Sequence, residues 1–360
     1  MRILFVLEHF YPYLGGAEKL FYDLSTSLAK EGNQIVIITT QFDKNMLLHE
    51  THKGVEIIRI NCRNRFAFTL FSLPKVLMHA RKSDVIHTTS YNAALPAMIA
   101  GFIFRKPVFV TFHEVWGELW KKLPFISSIQ KYEFYYFEKM LLRLPFTKFI
   151  AVSKFTKSKL QENGVKASKI NCIYNGMDYH EFDKLMPEVS DIFTFTYFGR
   201  LGISKGLNLL IPAAARFKAE FPKSRLKLII PKKPAALYLK IMNMIKEYDL
   251  EEYVTFKNNL PKSELFDELL MSSCIVIPSY SEGFCYSATE AVALRIPIIS
   301  SHQGALPETV SGKFIQMKEM TIDALTEALD EAYHDRWEYK PIRRFELVET
   351  VNMYKKLYNE

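Results

Sequence analysis

The sequence predicts an α/β protein made of two Rossmann-like domains that face each other across a deep cleft. Three observations carry this expectation. The chain has 360 residues, 49% of them apolar, enough for about two domains at roughly 150 residues each. Short β-rich apolar runs alternate with longer helical patterns along its whole length, as in parallel sheets covered on both faces. The alternation pauses once, where the turn signal Asn175-Gly176 leads into a polar stretch with Pro187, and then restarts.

Taken in order, the strand-like runs of the first half are Ile3–Leu7, Gln34–Thr39, Val55–Ile60, Asp84–His87, Val108–Phe112 and Phe149–Val152. Those of the second half are Phe193–Phe198, Leu226–Ile230, Tyr253–Phe256, Cys274–Ile277 and Ile298–Ser300. Each is bounded by turn residues and followed by a helical pattern, which gives successive βα units and a doubly wound sheet. The expected division is a first domain over 1–175, a second over 176–341, and a terminal segment over 342–360. Its helix, Ile342–Leu357, is flanked or lined by Phe345, Tyr354 and Tyr358 and is expected to dock back on the first domain.

Composition removes several classes. With 24% charged residues, only 14 glycines and no low-complexity tract, the chain is neither disordered nor fibrous. The longest apolar run, Ala93 to Phe104, ends at Arg105 and Lys106, well short of the about 20 residues that a membrane span requires. No signal-peptide pattern opens the chain, so a cytoplasmic protein is expected. Cys62, Cys172, Cys274 and Cys285 stand far apart without a CxxC or a histidine at ligand spacing, so reduced thiols and no metal site are expected. Residues 1–175 carry 24 Lys+Arg against 13 Asp+Glu, whereas the remainder carries 23 against 26. A basic half attracts phosphorylated molecules, an anionic membrane surface or nucleic acid. Nucleic acid is the poorest of these, since no helix-turn-helix, zinc-finger or RNA-recognition signature accompanies the charge.

Three segments carry chemistry. The first run leads through Tyr11-Pro12-Tyr13-Leu14 into Gly15-Gly16-Ala17-Glu18 and a helix. Glycines at a helix start let backbone N–H groups approach a phosphate, though a plain βα turn uses them too. The spacing is not G-x-G-x-x-G, and no acidic residue closes the second run, so a nicotinamide dinucleotide is not indicated. In the second half, Phe193–Phe198 ends in Gly199-Arg200-Leu201-Gly202-Ile203-Ser204-Lys205-Gly206. Two cations on a glycine-bearing turn suit a diphosphate held without a metal; two solvated surface cations are the plainer alternative. After Cys274–Ile277 comes Pro278-Ser279-Tyr280-Ser281-Glu282-Gly283-Phe284-Cys285-Tyr286-Ser287-Ala288-Thr289-Glu290. Glu282 in the loop and Glu290 in the helix can face one pocket at two depths, and a carboxylate accepts well from vicinal sugar hydroxyls. The N–H groups of Phe284, Cys285 and Tyr286 at the helix start can receive a phosphate. Together these residues would hold the parts of a nucleotide sugar.

With these residues in view, the chain resembles family 4 of the retaining glycosyltransferases (glycosyl transferases group 1), whose fold is GT-B and whose signature is a Glu-x7-Glu pair at this place. The likeness runs through Gly15-Gly16-Ala17-Glu18, Asp84 to His87, Pro107 to His113, Val152-Ser153, Asn175 to Asp178, Gly199-Arg200 with Lys205-Gly206, Glu282 to Glu290, and Gly304 with Pro307-Glu308. The resemblance implies an acceptor-binding first domain and a second domain that binds a nucleoside-diphosphate sugar. It implies that Gly16, Arg200 and Lys205 hold the diphosphate, Glu282 the sugar and Glu290 the ribose, with His113 close to the transferred sugar. His113, Arg200, Lys205 and Glu282 are then the expected catalytic set, with Gly15, Gly16, Gly283, Phe284, Cys285, Tyr286 and Glu290 completing the donor site. The implied reaction is transfer, with retention, to a hydroxyl of a glycan or a polyprenol- or lipid-linked acceptor, with no cofactor. No Asp-x-Asp occurs in the sequence, which fits metal independence. The alternatives are a sugar-nucleotide epimerase and a non-catalytic sugar-nucleotide-binding subunit.

The pattern is broken in places. Ile230-Pro231-Lys232-Lys233-Pro234 stands where relatives have a glycine-bearing turn. Arg295 stands where they end a helix with glycine, at a cost of about 1 kcal/mol for a left-handed cap. The segment after Gly312 is shorter than in most relatives. His87, at a strand end, is expected to be structural. Between Trp116 and Lys148 lie Trp116, Trp120, Phe125, Tyr132, Phe134, Tyr135, Tyr136, Phe137 and Phe146, interleaved with Lys121, Lys122, Lys131, Lys139, Arg143 and Lys148. Arg63 to Lys82 has a similar mix. Such stretches suit either the headgroup layer of an anionic membrane, which would place the protein peripherally on its cytoplasmic face, or the interior against a sheet.

Overall fold

The computed structural model describes all residues except Leu14, Arg63, Asn64 and Val189, and of Arg65 only the backbone. Leu14 of the first glycine turn and Arg63, where the second aromatic-basic stretch begins, therefore lie outside the described residues. Two compact units form, one from Met1–Lys121, Ile129–Met177 and Phe345–Glu360, the other from Lys122–Ser128 and Asp178–Arg344. A single cut near residue 175 does not anticipate that 122–128 joins the second unit.

The first unit holds strands β1 (Arg2–Val6), β2 (Gln34–Thr40), β3 (His49–His52), β4 (Val55–Ile60), β5 (Val85–Thr89), β6 (Val108–Phe112), β7 (Lys148–Ala151) and β8 (Ile170–Cys172). Their order is β3-β4-β2-β1-β5-β6-β7-β8, parallel except for β3 against β4. Because side chains alternate across a strand, Leu4 and Val6 enter one core and Ile3 and Phe5 the other. Both faces are thus covered, which is why β1 reads as an apolar run from Ile3 to Val6. Helix Gly16–Lys30 buries Leu20, Phe21, Leu24 and Leu28 on the second face.

The chain's last helix is Leu347–Tyr358, and the residues from Ile342 to Glu346 that the sequence pattern included are not part of it. It packs Val351, Tyr354, Leu357 and Tyr358 into the same core as Ile3 and Phe5. Gly176 permits this approach: a Cβ there would lie 2.5 Å from the Leu347 Cα. The Tyr354 hydroxyl meets Thr111 Oγ1 at 3.2 Å, Thr111 Oγ1 meets His87 Nε2 at 2.8 Å, and His87 Nδ1 bonds the Tyr358 hydroxyl. His87 is fully buried, and desolvation, with a smaller push from His113, lowers its pKa to about 3. It is a neutral bolt between sheet and helix.

The second unit holds β9 (Thr194–Phe198), β10 (Arg225–Ile229), β11 (Val254–Lys257), β12 (Cys274–Ile277), β13 (Ile298–Ser300), β14 (Gly312–Gln316) and β15 (Glu338–Lys340). Their order is β11-β10-β9-β12-β13-β14-β15, parallel except for β15. The connections reverse direction between β9 and β12, and in the first unit between β1 and β5. At such switch points the loops splay apart at the carboxyl ends of the strands and leave a crevice. No helix among the described residues is long and apolar enough to cross a membrane.

Candidate active site

The switch point of the second unit carries two loops, 199–206 after β9 and 278–285 after β12. They are tied together by backbone. Gly206, at φ 70°, caps helix Leu207–Glu220, and a Cβ on it would sit 1.8 Å from the Pro278 carbonyl oxygen. Only glycine fits there. The Tyr280 N–H donates to the Ser204 carbonyl at 2.7 Å, and Asn208 donates to the Tyr280 hydroxyl at 2.8 Å.

Across this junction Lys205 Nζ lies 2.8 and 2.9 Å from the two oxygens of Glu282. The Glu282 side chain is 7% exposed and that of Lys205 23%. Ser279 Oγ donates to Glu282 Oε1 at 2.7 Å. Gly304, at φ 68°, lets the chain pass so close to Glu282 that a Cβ there would lie 2.4 Å from its carbonyl oxygen, and the Ala305 N–H donates to that oxygen at 2.8 Å. Glu282 is therefore fixed from both ends. The sequence reading gave Lys205 to the phosphates and Glu282 to the sugar; the structure pairs them with each other at the switch point.

Beneath the pair lies Tyr197 of β9, buried, its hydroxyl donating to the Arg200 carbonyl at 3.1 Å. Burial drives its pKa upward, with smaller influences from the Lys205 and Arg200 cations, which lower it, and the Glu282 carboxylate, which raises it. This hydroxyl ties the end of β9 to the first turn of the 199–206 loop. The Arg200 side chain is exposed.

The second helix start is unusual. Cys285 caps helix Tyr286–Ala293 in the left-handed region, at φ 75° and ψ 82°, which costs a non-glycine residue about 1 kcal/mol. Burial and the Glu282 carboxylate hold its thiol well above the usual range, so it is not a thiolate nucleophile at neutral pH. Gly283 and Phe284 are buried, Tyr286 is half-buried, and the Phe284 and Tyr286 rings meet edge to face at 5.3 Å. Ser287 Oγ donates to the Phe198 carbonyl at 3.3 Å, anchoring the helix start to the end of β9. Glu290 is half-buried one turn on, its carbonyl accepting from the Leu294 N–H.

In the first unit, Gly15 opens helix Gly16–Lys30 with an extended φ of 174°, and its carbonyl accepts from the Lys19 N–H at 2.9 Å. The helix follows β1 at the switch point. His113 directly follows β6, half-buried, its ring 6.1 Å from that of Phe21. The loop after His113 is held by Glu138, whose buried carboxylate accepts from the Gly117 N–H at 2.7 Å and the Trp116 N–H at 3.1 Å. Burial raises the Glu138 pKa in spite of those donors.

Sequence reading missed Tyr197, Ser279 and Glu138. Ser279 carries a local signal, a serine three residues before Glu282 in one loop. The other two are visible only once the strands pair and the loop after β6 meets helix Ser128–Leu141.

Comparison with known proteins agrees with this architecture. The Glycosyltransferase Family 4 profile matches residues 14–181 and the Glycosyl transferases group 1 profile residues 181–346. The chain is 23% identical over 347 residues to a phosphatidylinositol N-acetylglucosaminyltransferase subunit from Arabidopsis thaliana, covering 92% of this chain and 74% of that one. It is 25% identical over 319 residues to the GDP-mannose:cellobiosyl-diphosphopolyprenol alpha-mannosyltransferase of Xanthomonas oryzae pv. oryzae, covering 83% and 78%. Among solved structures, sucrose-phosphate synthase from Thermosynechococcus elongatus superposes with a TM-score of 0.82 at 21% identity over 99% of this chain and 98% of that one. Anabaena HepE in complex with UDP-glucose gives 0.72 at 19% identity over 100% and 99%. The fold is the two-domain GT-B fold, and the protein is a glycosyltransferase. The chain belongs to glycosyltransferase family 4.

Proposed function

We propose that the protein transfers a sugar from a nucleoside-diphosphate sugar to a hydroxyl of a glycan or lipid-linked acceptor, with retention at the anomeric carbon, without a metal, and at the cytoplasmic face of a membrane. The observation that carries the donor assignment is the Lys205–Glu282 pair at the switch point, close to Arg200 and to the start of helix Tyr286–Ala293. Cleaving a sugar–diphosphate bond leaves negative charge on the departing oxygen and positive charge on the anomeric carbon. Placed charges and dipoles stabilise both. Arg200 and Lys205 supply the cations for the diphosphate, together with the N–H groups around Phe284, Cys285 and Tyr286 and the Gly283 turn. Glu290 takes the ribose hydroxyls and Glu282 the sugar. For that division Lys205 must leave Glu282 for the phosphates, which exposes a carboxylate to the sugar in the same movement.

The assignment of Gly15, Gly16 and His113 to the same reaction rests on the family resemblance alone. Two relatives' names include a phosphatidylinositol and a diphosphopolyprenol, which supports a lipid-linked acceptor. The test is thermal melting with UDP-glucose, UDP-N-acetylglucosamine, GDP-mannose and ADP-glucose. A donor at about 100 times its Kd adds roughly 2.7 kcal/mol to stability. One of the four should raise Tm in the native protein and fail to do so in Lys205→Ala. If none raises it at millimolar concentration, the donor assignment falls.

A further inference from the structure

The aromatic-basic stretch 116–148 divides in the structure. Trp120 and Phe146 are buried and the Trp120 ring packs on Trp116 and Phe134, leaving Tyr132 and Tyr136 outside. A larger apolar face lies elsewhere in the first unit. Helices Arg65–Phe71, Leu73–Ala80 and Ala94–Phe104 pack on one another. Helix Ala94–Phe104 has no charged residue, and its Gly101 is pressed onto β6, where a Cβ would meet Val108 at 2.1 Å. With Gly101 inward, helical spacing turns Ile99, Phe102 and Ile103 away from the sheet. In the first helix Phe68 is buried while Phe66, Leu70 and Phe71 are outside. Phe102 is 81% exposed and Leu70 72%. A helix apolar all round belongs in an interior or against an apolar partner, and patches of this kind mark interaction surfaces.

The charge around this face selects the partner. From Cys62 to Lys106 the sequence carries Arg63, Arg65, Lys75, Arg81, Lys82, Arg105 and Lys106 against the single acid Asp84. Lys75, Arg81, Lys82 and Arg105 are at least partly exposed. Large exposed apolar side chains in a segment rich in cations and nearly free of carboxylates match an anionic bilayer, where the rings enter the acyl boundary and the cations meet the headgroups. We infer that Phe66, Leu70, Phe71, Ile99, Phe102 and Ile103 form the surface by which the protein docks on an anionic membrane. The inference deepens the proposed lipid-linked acceptor and rests on that reading for its biological purpose, but its physical basis is this face alone.

The test is flotation with vesicles of phosphatidylcholine alone and of phosphatidylcholine with 30% phosphatidylglycerol. It compares the native chain with Leu70→Glu/Phe102→Glu and with Lys75→Glu/Lys82→Glu. The native protein should float with anionic vesicles at low salt, and both variants should lose at least tenfold in bound fraction while keeping native Tm and native sugar-nucleotide binding. Intact nucleotide binding separates a failure of docking from a failure of the transferase assignment. A second pair, Phe66→Ser/Ile103→Ser, serves if the glutamates unfold the chain. The inference is overturned if the native protein stays unbound, or if the variants float as well as it does. It is also overturned if the native protein runs as a dimer that Leu70→Glu/Phe102→Glu converts to a monomer without any vesicle binding, since a second copy then covers the face.

Discussion

Replacing Glu282 by Gln should make the protein bind a bare nucleoside diphosphate more tightly. Lys205 now sits 2.8 and 2.9 Å from the two oxygens of Glu282, so a diphosphate competes with that carboxylate for one ammonium. A hydrogen bond to a charged group is worth about 1.5–3 kcal/mol and a neutral one about 1. Gln retains a single neutral carbonyl for Lys205, so the competition falls by about 1–2 kcal/mol, which corresponds to roughly 5–30-fold in Kd. The intact donor should gain far less, because the same change removes the carboxylate proposed to hold its sugar. Calorimetry with UDP, GDP and ADP, and with the matching sugar nucleotides, measures both effects on one sample. The reasoning fails if Glu282→Gln keeps native secondary structure yet binds every diphosphate no more tightly than the native protein.

Three further outcomes follow from the same geometry. Glu290→Ala should weaken diphosphate and donor by the same factor, about tenfold, because a ribose contact is present in both; unequal losses in calorimetry would move Glu290 off the ribose. His87 stays neutral in the fold down to about pH 3 but takes up a proton near 6.5 when unfolded. Its contribution is therefore complete above pH 6.5 and declines as pH falls, by about 2 kcal/mol at pH 5; urea unfolding from pH 8 to 5 should show that loss, and His87→Gln should remove it, whereas an unchanged slope in the variant would contradict the assignment. Arg295 occupies the left-handed region at φ 59°, so Arg295→Gly should stabilise the protein by about 0.5–1 kcal/mol, and a lower urea midpoint would show that its contact with Met186 outweighs the backbone strain.

The interior strands were legible because a parallel strand covered on both faces is apolar at nearly every position, as in Cys274–Ile277 and, but for Thr111, Val108–Phe112. The short edge elements were not. His49–His52, Ile170–Cys172 and Glu338–Lys340 are three or four residues long and partly or wholly exposed, so no apolar pattern sets them apart from loops. In the candidate site, the glycines and charged residues stood out by type and position, but their partners did not. The pairing of Lys205 with Glu282 joins residues 77 apart through the adjacency of β9 and β12 in the sheet, which spacing along the chain does not encode. The composition of 116–148 left two readings open because composition does not say which rings face inward: Trp120 is interior and Tyr136 outside, while Phe102, in a run read only for its length, is the most exposed large apolar side chain among the described residues.

The central claim is metal-independent, retaining transfer from a nucleoside-diphosphate sugar, and product stereochemistry tests it most directly. The protein should be incubated with the donor found by melting and a short-chain lipid glycoside acceptor, in excess EDTA, and the anomeric proton of the product read by NMR. From an α-configured donor the account predicts an α-linked product, undiminished by EDTA, with turnover reduced on the order of 100-fold or more in Arg200→Ala and in Lys205→Ala. A β-linked product, loss of activity in EDTA that a divalent ion restores, or native turnover in both variants would contradict it.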